Sequence, residues 1–122
     1  MNKYNLKLID SIRDAPGTNS IAITTNFLDD ISDGIGIYYD KTKHELTDNG
    51  YTAFEFNTHD LKLNNYQKPL SRLLLGGVRY DAKTHNIILK DELNDENLAE
   101  FIQSLIRIYT YLDILTDKNN VF

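Results

Sequence analysis

The chain has no cysteine and no tryptophan among its 122 residues. Without cysteine there are no disulfides, no thiolate metal sites and no cysteine nucleophile. Neither an apolar run of membrane-spanning length nor the apolar stretch of a signal peptide is present, since Met1 to Asp14 alternates polar and apolar residues. Excess positive charge is missing too. Lys plus Arg number 13 against 18 Asp plus Glu, a formal net charge of -5. That balance opposes a protein that wraps nucleic acid by neutralising phosphates. It also suits ordinary solubility, so a soluble cytoplasmic protein is expected, with no membrane partner and no direct nucleic-acid binding.

What is present is enough for one domain, residues 1–122, with a core from about 4 to 117. The organising stretch is Asn19 to Tyr51. Ile21, Ile23, Thr25 and Phe27 alternate with Ala22, Thr24 and Asn26, which predicts a strand over Ser20 to Phe27. Further strands are expected at Ile35 to Tyr39 and His44 to Thr47, joined by polar turns into an antiparallel meander. Gly36, on the face opposite Ile37, implies a close approach by another backbone or helix. Asp48-Asn49-Gly50 then turns the chain sharply.

Helices are predicted around this sheet. Tyr4, Leu8 and Ile12, with Ile9 beside them, make an apolar face over Asn2 to Asp14, and Pro16-Gly17 stops it. Tyr51 to Thr58 alternates like a strand, yet Thr52 and Glu55 fit a capping box, and a short helical turn is the preferred reading. Tyr66 to Leu75 is a helix with Pro69 in its first turn and Gly76-Gly77 as its stop. Val78 to Asp81 and Ile87 to Lys90 form a hairpin. Asn94 caps a final helix to about Asp117, roughly 33–36 Å long at 1.5 Å per residue. Its apolar stripe covers about half the circumference, wider than one sheet face can cover. It must therefore meet a second element, either the first helix or another subunit. No repeat or low-complexity tract is read. The expected fold is α+β, ordered α-β-β-β-α-β-β-α, an antiparallel sheet covered by helices on one side.

At Ile23-Thr24-Thr25, in the paired strands and at Leu46-Thr47-Asp48-Asn49-Gly50-Tyr51-Thr52, the chain resembles the bacterial and phage domain-of-unknown-function family 1828. The family pattern has an ITTPFLD-like strand, an I-x-I-Y strand and an LTDDGYT-like corner, followed by a helix, a hairpin and a final helix. The resemblance spans about residues 15 to 113. This chain has Asn26 where Pro is expected and Asn49 where Asp is expected. Asn-Gly turns as well as Asp-Gly, so the corner survives. The family offers no catalytic residues to carry over. Its occurrence in phages and mobile elements implies a role in phage–host conflict.

Several constellations carry residue types capable of chemistry. Asp29, Asp33, Gly34 and Asp40 match part of a calcium-loop template, but Ile31 stands at a ligand position and no Glu closes it. Asp48, with Asp60-Leu61-Lys62, offers the two carboxylates and lysine of a Mg²⁺-dependent nuclease. His44, His59 and His85 lack helical metal-site spacing. Gly76-Gly77 is no phosphate loop. Lys68, Arg72 and Arg79 near Tyr66 and Tyr80 could hold a phosphate or stack a base. No cofactor and no metal are expected. The strongest hint is apolar surplus: Leu6, Tyr38, Tyr111 and Ile114 are left over once one core is built. With the acidic turn residues Asp29, Asp30 and Asp33, they suggest a partner surface. The expected function is a non-enzymatic protein-binding module of a phage or mobile element. Its partner would be a host or defence-system protein, inhibited in the manner of an anti-CRISPR. The alternatives are a nuclease or nucleic-acid-processing accessory, and a structural protein that self-associates as a homodimer through its C-terminal helix.

Overall fold

The computed structural model describes residues 9–14, 17, 19–25 and 36–117. Six strands form one antiparallel sheet: β1 (Ile9–Asp14), β2 (Ser20–Thr25), β3 (Ile37–Asp40), β4 (Glu45–Thr47), β5 (Arg79–Asp81) and β6 (Asn86–Lys90), in the order β1-β2-β3-β4-β6-β5. Three helices accompany it among the described residues: α1 (Tyr51–Thr58), α2 (Gln67–Leu73) and α3 (Asp95–Thr116), with a 3₁₀ turn at Leu63–Tyr66 before α2. The class is the expected α+β, but the described chain opens on a strand.

The helix predicted over Asn2 to Asp14 is corrected at residues 9–14, which pair with β2; its first part lies outside the described residues. A β-bulge explains the misreading. Ile9 opposes Thr25, whereas Ser11 opposes Thr24 and Ile12 opposes Ile23. Asp10 is therefore the extra residue. Positions 9 and 12, three apart in sequence, stand opposite positions only two apart on β2. A bulge converts the period of two into a local spacing of three, which imitates a helix in sequence.

Pleating sorts the sheet into two faces. Ile23, Ile37, Tyr39, Leu46, Ile87 and Leu89 join Phe56, Leu70, Phe101, Leu105 and Ile108 in one buried core beneath the helices. The other face carries the cross-strand row Ala22, Tyr38, Thr47, Ile88 and Arg79. Ala22, Tyr38 and Thr47 are half-buried and Arg79 is exposed, while Ile88 is buried. The close approach at Gly36 is made by the side chain of Tyr38, two residues on, and not by the backbone or helix expected. A Cβ at Gly36 would stand 2.6 Å from the Tyr38 hydroxyl.

Asp48 holds the corner between sheet and helix. Its side chain is 1 % exposed. Oδ1 accepts the N–H groups of Gly50 at 3.0 Å and of Ile87 at 2.9 Å, and Oδ2 accepts Thr52 N–H at 2.9 Å. One carboxylate thus starts α1, fixes the positive φ turn at Gly50 (φ 81) and ties it to β6. The expected Thr52–Glu55 capping box does not form. Thr52 is fully buried and accepts a long hydrogen bond of 3.4 Å from the Tyr109 hydroxyl. Burial raises the Tyr109 phenol well above its ordinary pKa.

α3 begins as predicted, with Asn94 accepting Asn97 N–H at 2.8 Å. Its 22 residues span about 33 Å. The wide apolar stripe meets α1 and α2 as well as the sheet, and neither helix is the one expected over Asn2 to Asp14. Ser104 on α3 is buried and accepts Leu75 N–H at 2.9 Å, and Tyr111 packs edge-on against Tyr66 with ring centroids 6.2 Å apart.

Two hairpins share one spelling that the sequence reading passed over. Tyr39-Asp40-Lys41-Thr42-Lys43-His44 joins β3 to β4, and Tyr80-Asp81-Ala82-Lys83-Thr84-His85 joins β5 to β6. In each, the Asp Oδ1 accepts turn amides: Thr42 and Lys43 in the first, Lys83 in the second. In each, the His takes a left-handed φ, 53 at His44 and 64 at His85. In each, the Tyr hydroxyl lies against the His Nδ1, at 3.1 and 2.9 Å.

Candidate functional site

α3 leaves one side uncovered. Against the C-terminal part of α2 it forms a shallow apolar groove of about 260 Å³, lined by Leu73, Ile106, Arg107, Thr110, Tyr111 and Ile114. Spacing of four along α3 places Ile106, Thr110 and Ile114 on one outward strip. Ile114 is 71 % exposed, one of two large hydrophobic side chains left exposed among the described residues. Tyr111 forms one wall, held by the Phe56–Tyr66–Tyr111 stack, in which Phe56 and Tyr66 centroids are 5.8 Å apart. Arg107 fixes the rim by donating from Nη2 to the carbonyl oxygen of Arg72 at 3.3 Å. That contact satisfies a carbonyl of the last turn of α2, where cations are favoured.

The fold brings Tyr111 and Ile114 together here. Tyr38 lies elsewhere, on the free face of the sheet, beside a polar depression of about 280 Å³ shared with Ser20, Asp40, Lys43, Glu45, Thr47, Asn49 and Asn86. Asp29, Asp30, Asp33 and Leu6 lie outside the described residues, as do Gly34 and most of the calcium-loop template. Sequence reasoning missed Leu73, Ile106 and Arg107 as groove residues. Leu73 and Ile106 read as core because each belongs to an apolar helix face, and only the tertiary crossing of α2 and α3 places them at a surface.

The carboxylates and lysine considered for metal chemistry have separate settings. Asp48 is buried with both oxygens engaged by backbone amides. Asp60 is exposed at a left-handed φ of 60 after α1, and Lys62 is exposed before the 3₁₀ turn. No cluster of three or more His, Asp or Glu with metal-holding geometry occurs among the described residues. His44 and His85 sit in the two hairpin turns, each beside its tyrosine, and His59 follows α1. Tyr80 also donates its hydroxyl to Asn64 Oδ1, so its oxygen accepts from His85 Nδ1–H. Burial, followed by the Asp48 and Asp81 charges, raises the Tyr80 phenol above its ordinary pKa. Lys68 and Arg72 lie on the exposed side of α2, while Arg79 lines a separate cleft beside β5.

The family model described as "Domain of unknown function DUF1828" matches residues 25–109, well over half of the chain. The chain belongs to the DUF1828 family. No curated protein and no solved structure matches it. Within this DUF1828 chain, the matched segment begins at the end of β2 and stops inside α3 at Tyr109, just before Tyr111 and Ile114. The Asp48 corner, both hairpins and the start of the groove therefore lie inside the family region, and the groove's outer rim lies beyond it. No helix among the described residues is long and apolar enough to cross a membrane.

Proposed function

We propose that this protein is a non-enzymatic protein-binding module that docks through the α2–α3 groove. The observation that carries the reading is Ile114, exposed at the lip of an apolar depression whose other walls are Leu73, Ile106 and Tyr111. Leaving such a side chain in water forgoes burial worth about 1.5–3 kcal/mol. A partner that covers it recovers that energy, and the rigid Tyr111 wall lowers the ordering cost. The occupant is a partner protein presenting apolar side chains, with an acidic or carbonyl group for Arg107. In its finer form the reading places that partner in the bacterial host, as an anti-defence target, in keeping with the phage and mobile-element setting that the resemblance implies.

The test compares tagged wild-type protein with Ile114→Glu in capture from bacterial lysate, followed by titration of the purified partner. The wild type should retain one stoichiometric, nuclease-resistant protein, and Ile114→Glu should lose it while keeping the same far-ultraviolet circular dichroism. Identical proteins on both baits, or none on either, would overturn the groove as the docking site.

A further inference from the structure

A second cleft, of about 300 Å³, is lined by Gln67, Leu70, Ser71, Leu74, Gly76, Val78, Arg79 and Tyr80. Side chains of consecutive residues in an extended segment point to opposite faces. Val78, Arg79 and Tyr80 can share one cavity only if that cavity runs along the edge of the segment, beside its backbone. β5 is the last strand of the sheet: β6 pairs with one edge, and no strand among the described residues pairs with the other. In an antiparallel ladder alternate residues turn both N–H and C=O towards the same neighbour, so β5 directs peptide groups into the cleft, although the Val78 N–H just before it is already bonded to the Leu75 carbonyl at 3.0 Å. The opposite wall is a single face of α2 and its continuation, because Gln67, Leu70, Ser71 and Leu74 follow the i, i+3, i+4, i+7 pattern. An open strand edge facing a helix across an apolar-floored cleft is the geometry that accepts an extended peptide as an added strand.

From this we infer that the β5–α2 cleft binds an extended peptide segment of a partner protein, one that alternates apolar and acidic side chains. Leu70 and Val78 are buried and form the apolar floor. Arg79 is the one lining side chain that is charged at neutral pH, and it is exposed. Acidic groups stand at the two ends: Glu100 packs against Gly76, where an added Cβ would collide with its carboxylate, and Asp81 closes β5. The peptide carboxylate therefore belongs beside Arg79, at the middle of the cleft. A proline in the paired stretch of the peptide would lack the N–H for the ladder. This site is independent of the α2–α3 groove and stands or falls without it.

Selection from a displayed library of random short peptides, using the whole chain as bait, tests the inference. Enriched peptides should alternate apolar and acidic residues and lack central proline. Synthesised singly, they should shift the amide resonances of Ser71, Val78 and Tyr80. Arg79→Glu should weaken them roughly tenfold and select basic peptides in their place. Ser71→Phe, which fills the cleft from an exposed helix position, should abolish binding while Ile114→Glu leaves it intact. An absence of enrichment, equal binding to Ser71→Phe, or shifts confined to other surfaces would overturn the proposal. So would dimerisation of the protein through β5 that Arg79→Glu leaves unchanged.

Discussion

The β3–β4 and β5–β6 hairpins are spelled alike and fold alike, yet they occupy opposite situations. Tyr39 sits in the middle of the sheet and is only 6 % exposed within the core. Tyr80 sits on the edge strand, half-buried, with its hydroxyl shared between His85 and Asn64. The turn is therefore a local property: an Asp accepting turn amides and a His in the left-handed region build it wherever it is placed. Burial is a property of position in the sheet. The edge copy keeps polar reach and an open backbone, so the hairpin that contributes less to the core is the one that can contribute to recognition.

The two hairpins meet at Asp48, and the sharpest way to break their arrangement is to remove it. β4 pairs with β6 through Glu45–Lys90, Leu46–Leu89 and Thr47–Ile88, and the next step of that ladder is Asp48 accepting Ile87 N–H. Asp48→Ala strands three amides in the interior and should cost about 3–5 kcal/mol, read by chemical denaturation. Asp48→Asn keeps an acceptor oxygen and should cost less. A loss under 1 kcal/mol for Asp48→Ala would show that the corner holds without its carboxylate.

Truncating the paired tyrosines comes next. Tyr39→Ala opens a core cavity and should cost about 3 kcal/mol, while Tyr80→Ala should cost about 1 kcal/mol. Equal losses would mean that the edge hairpin is as integral to the core as the central one. Tyr80 adds a pH signature. Its phenol is raised above 10.0 in the folded state, so its neutral form supports stability below that pH. The contribution is lost as pH rises through the folded value. Tyr80→Phe should flatten that alkaline decline, and Tyr39→Phe serves as its comparison.

Most of the architecture was legible because the chain marks it locally. Asn94 before Asp95 and Glu96, Gly76 at φ 57 and the Asp48-Asn49-Gly50 corner each place an element boundary within a residue or two. Two features were hidden for physical reasons. The bulge at Asp10 gave β1 a helix-like apolar spacing, so local periodicity pointed to the wrong element. The hairpin repeat is too short and too degenerate to announce itself, because only Tyr, Asp and His stand at matching places while the residues between them differ. The groove was half visible. Ile114 and Tyr111 read as surplus, but Leu73 and Ile106 acquire their exposure from a helix crossing that no single segment encodes. Asp48 was legible only as the first residue of the sharp Asp48-Asn49-Gly50 turn. Its reach to Ile87, thirty-nine positions away, is a tertiary contact beyond any local motif.

Smaller effects sharpen the comparison within the turns. His44→Gly and His85→Gly each relieve a left-handed side chain and each remove a bond to tyrosine. The two terms are of similar size, so both variants should stay within about 0.5 kcal/mol of the wild type. A clear loss at His85 alone would show that the Asn64–Tyr80–His85 chain, and not the turn, orders the edge hairpin.

The smallest expected difference lies between Asp40 and Asp81. Both carboxyls are held below the usual 3.8, Asp40 chiefly by Lys43 N–H and Asp81 chiefly by Lys83 N–H. A depressed folded value means that each supports stability above pH 3.8 and loses that support as pH falls through the folded value. Both groups are solvent-exposed, so the gain is small, and it should be alike in the two hairpins because the same backbone geometry produces it. Carboxyl carbon shifts followed down to low pH should therefore give two depressed midpoints that nearly coincide. A depressed Asp40 beside an ordinary Asp81 would show that the edge turn is less firmly formed than the central one. The β5 edge would then be a poorer template for an added strand than its geometry indicates.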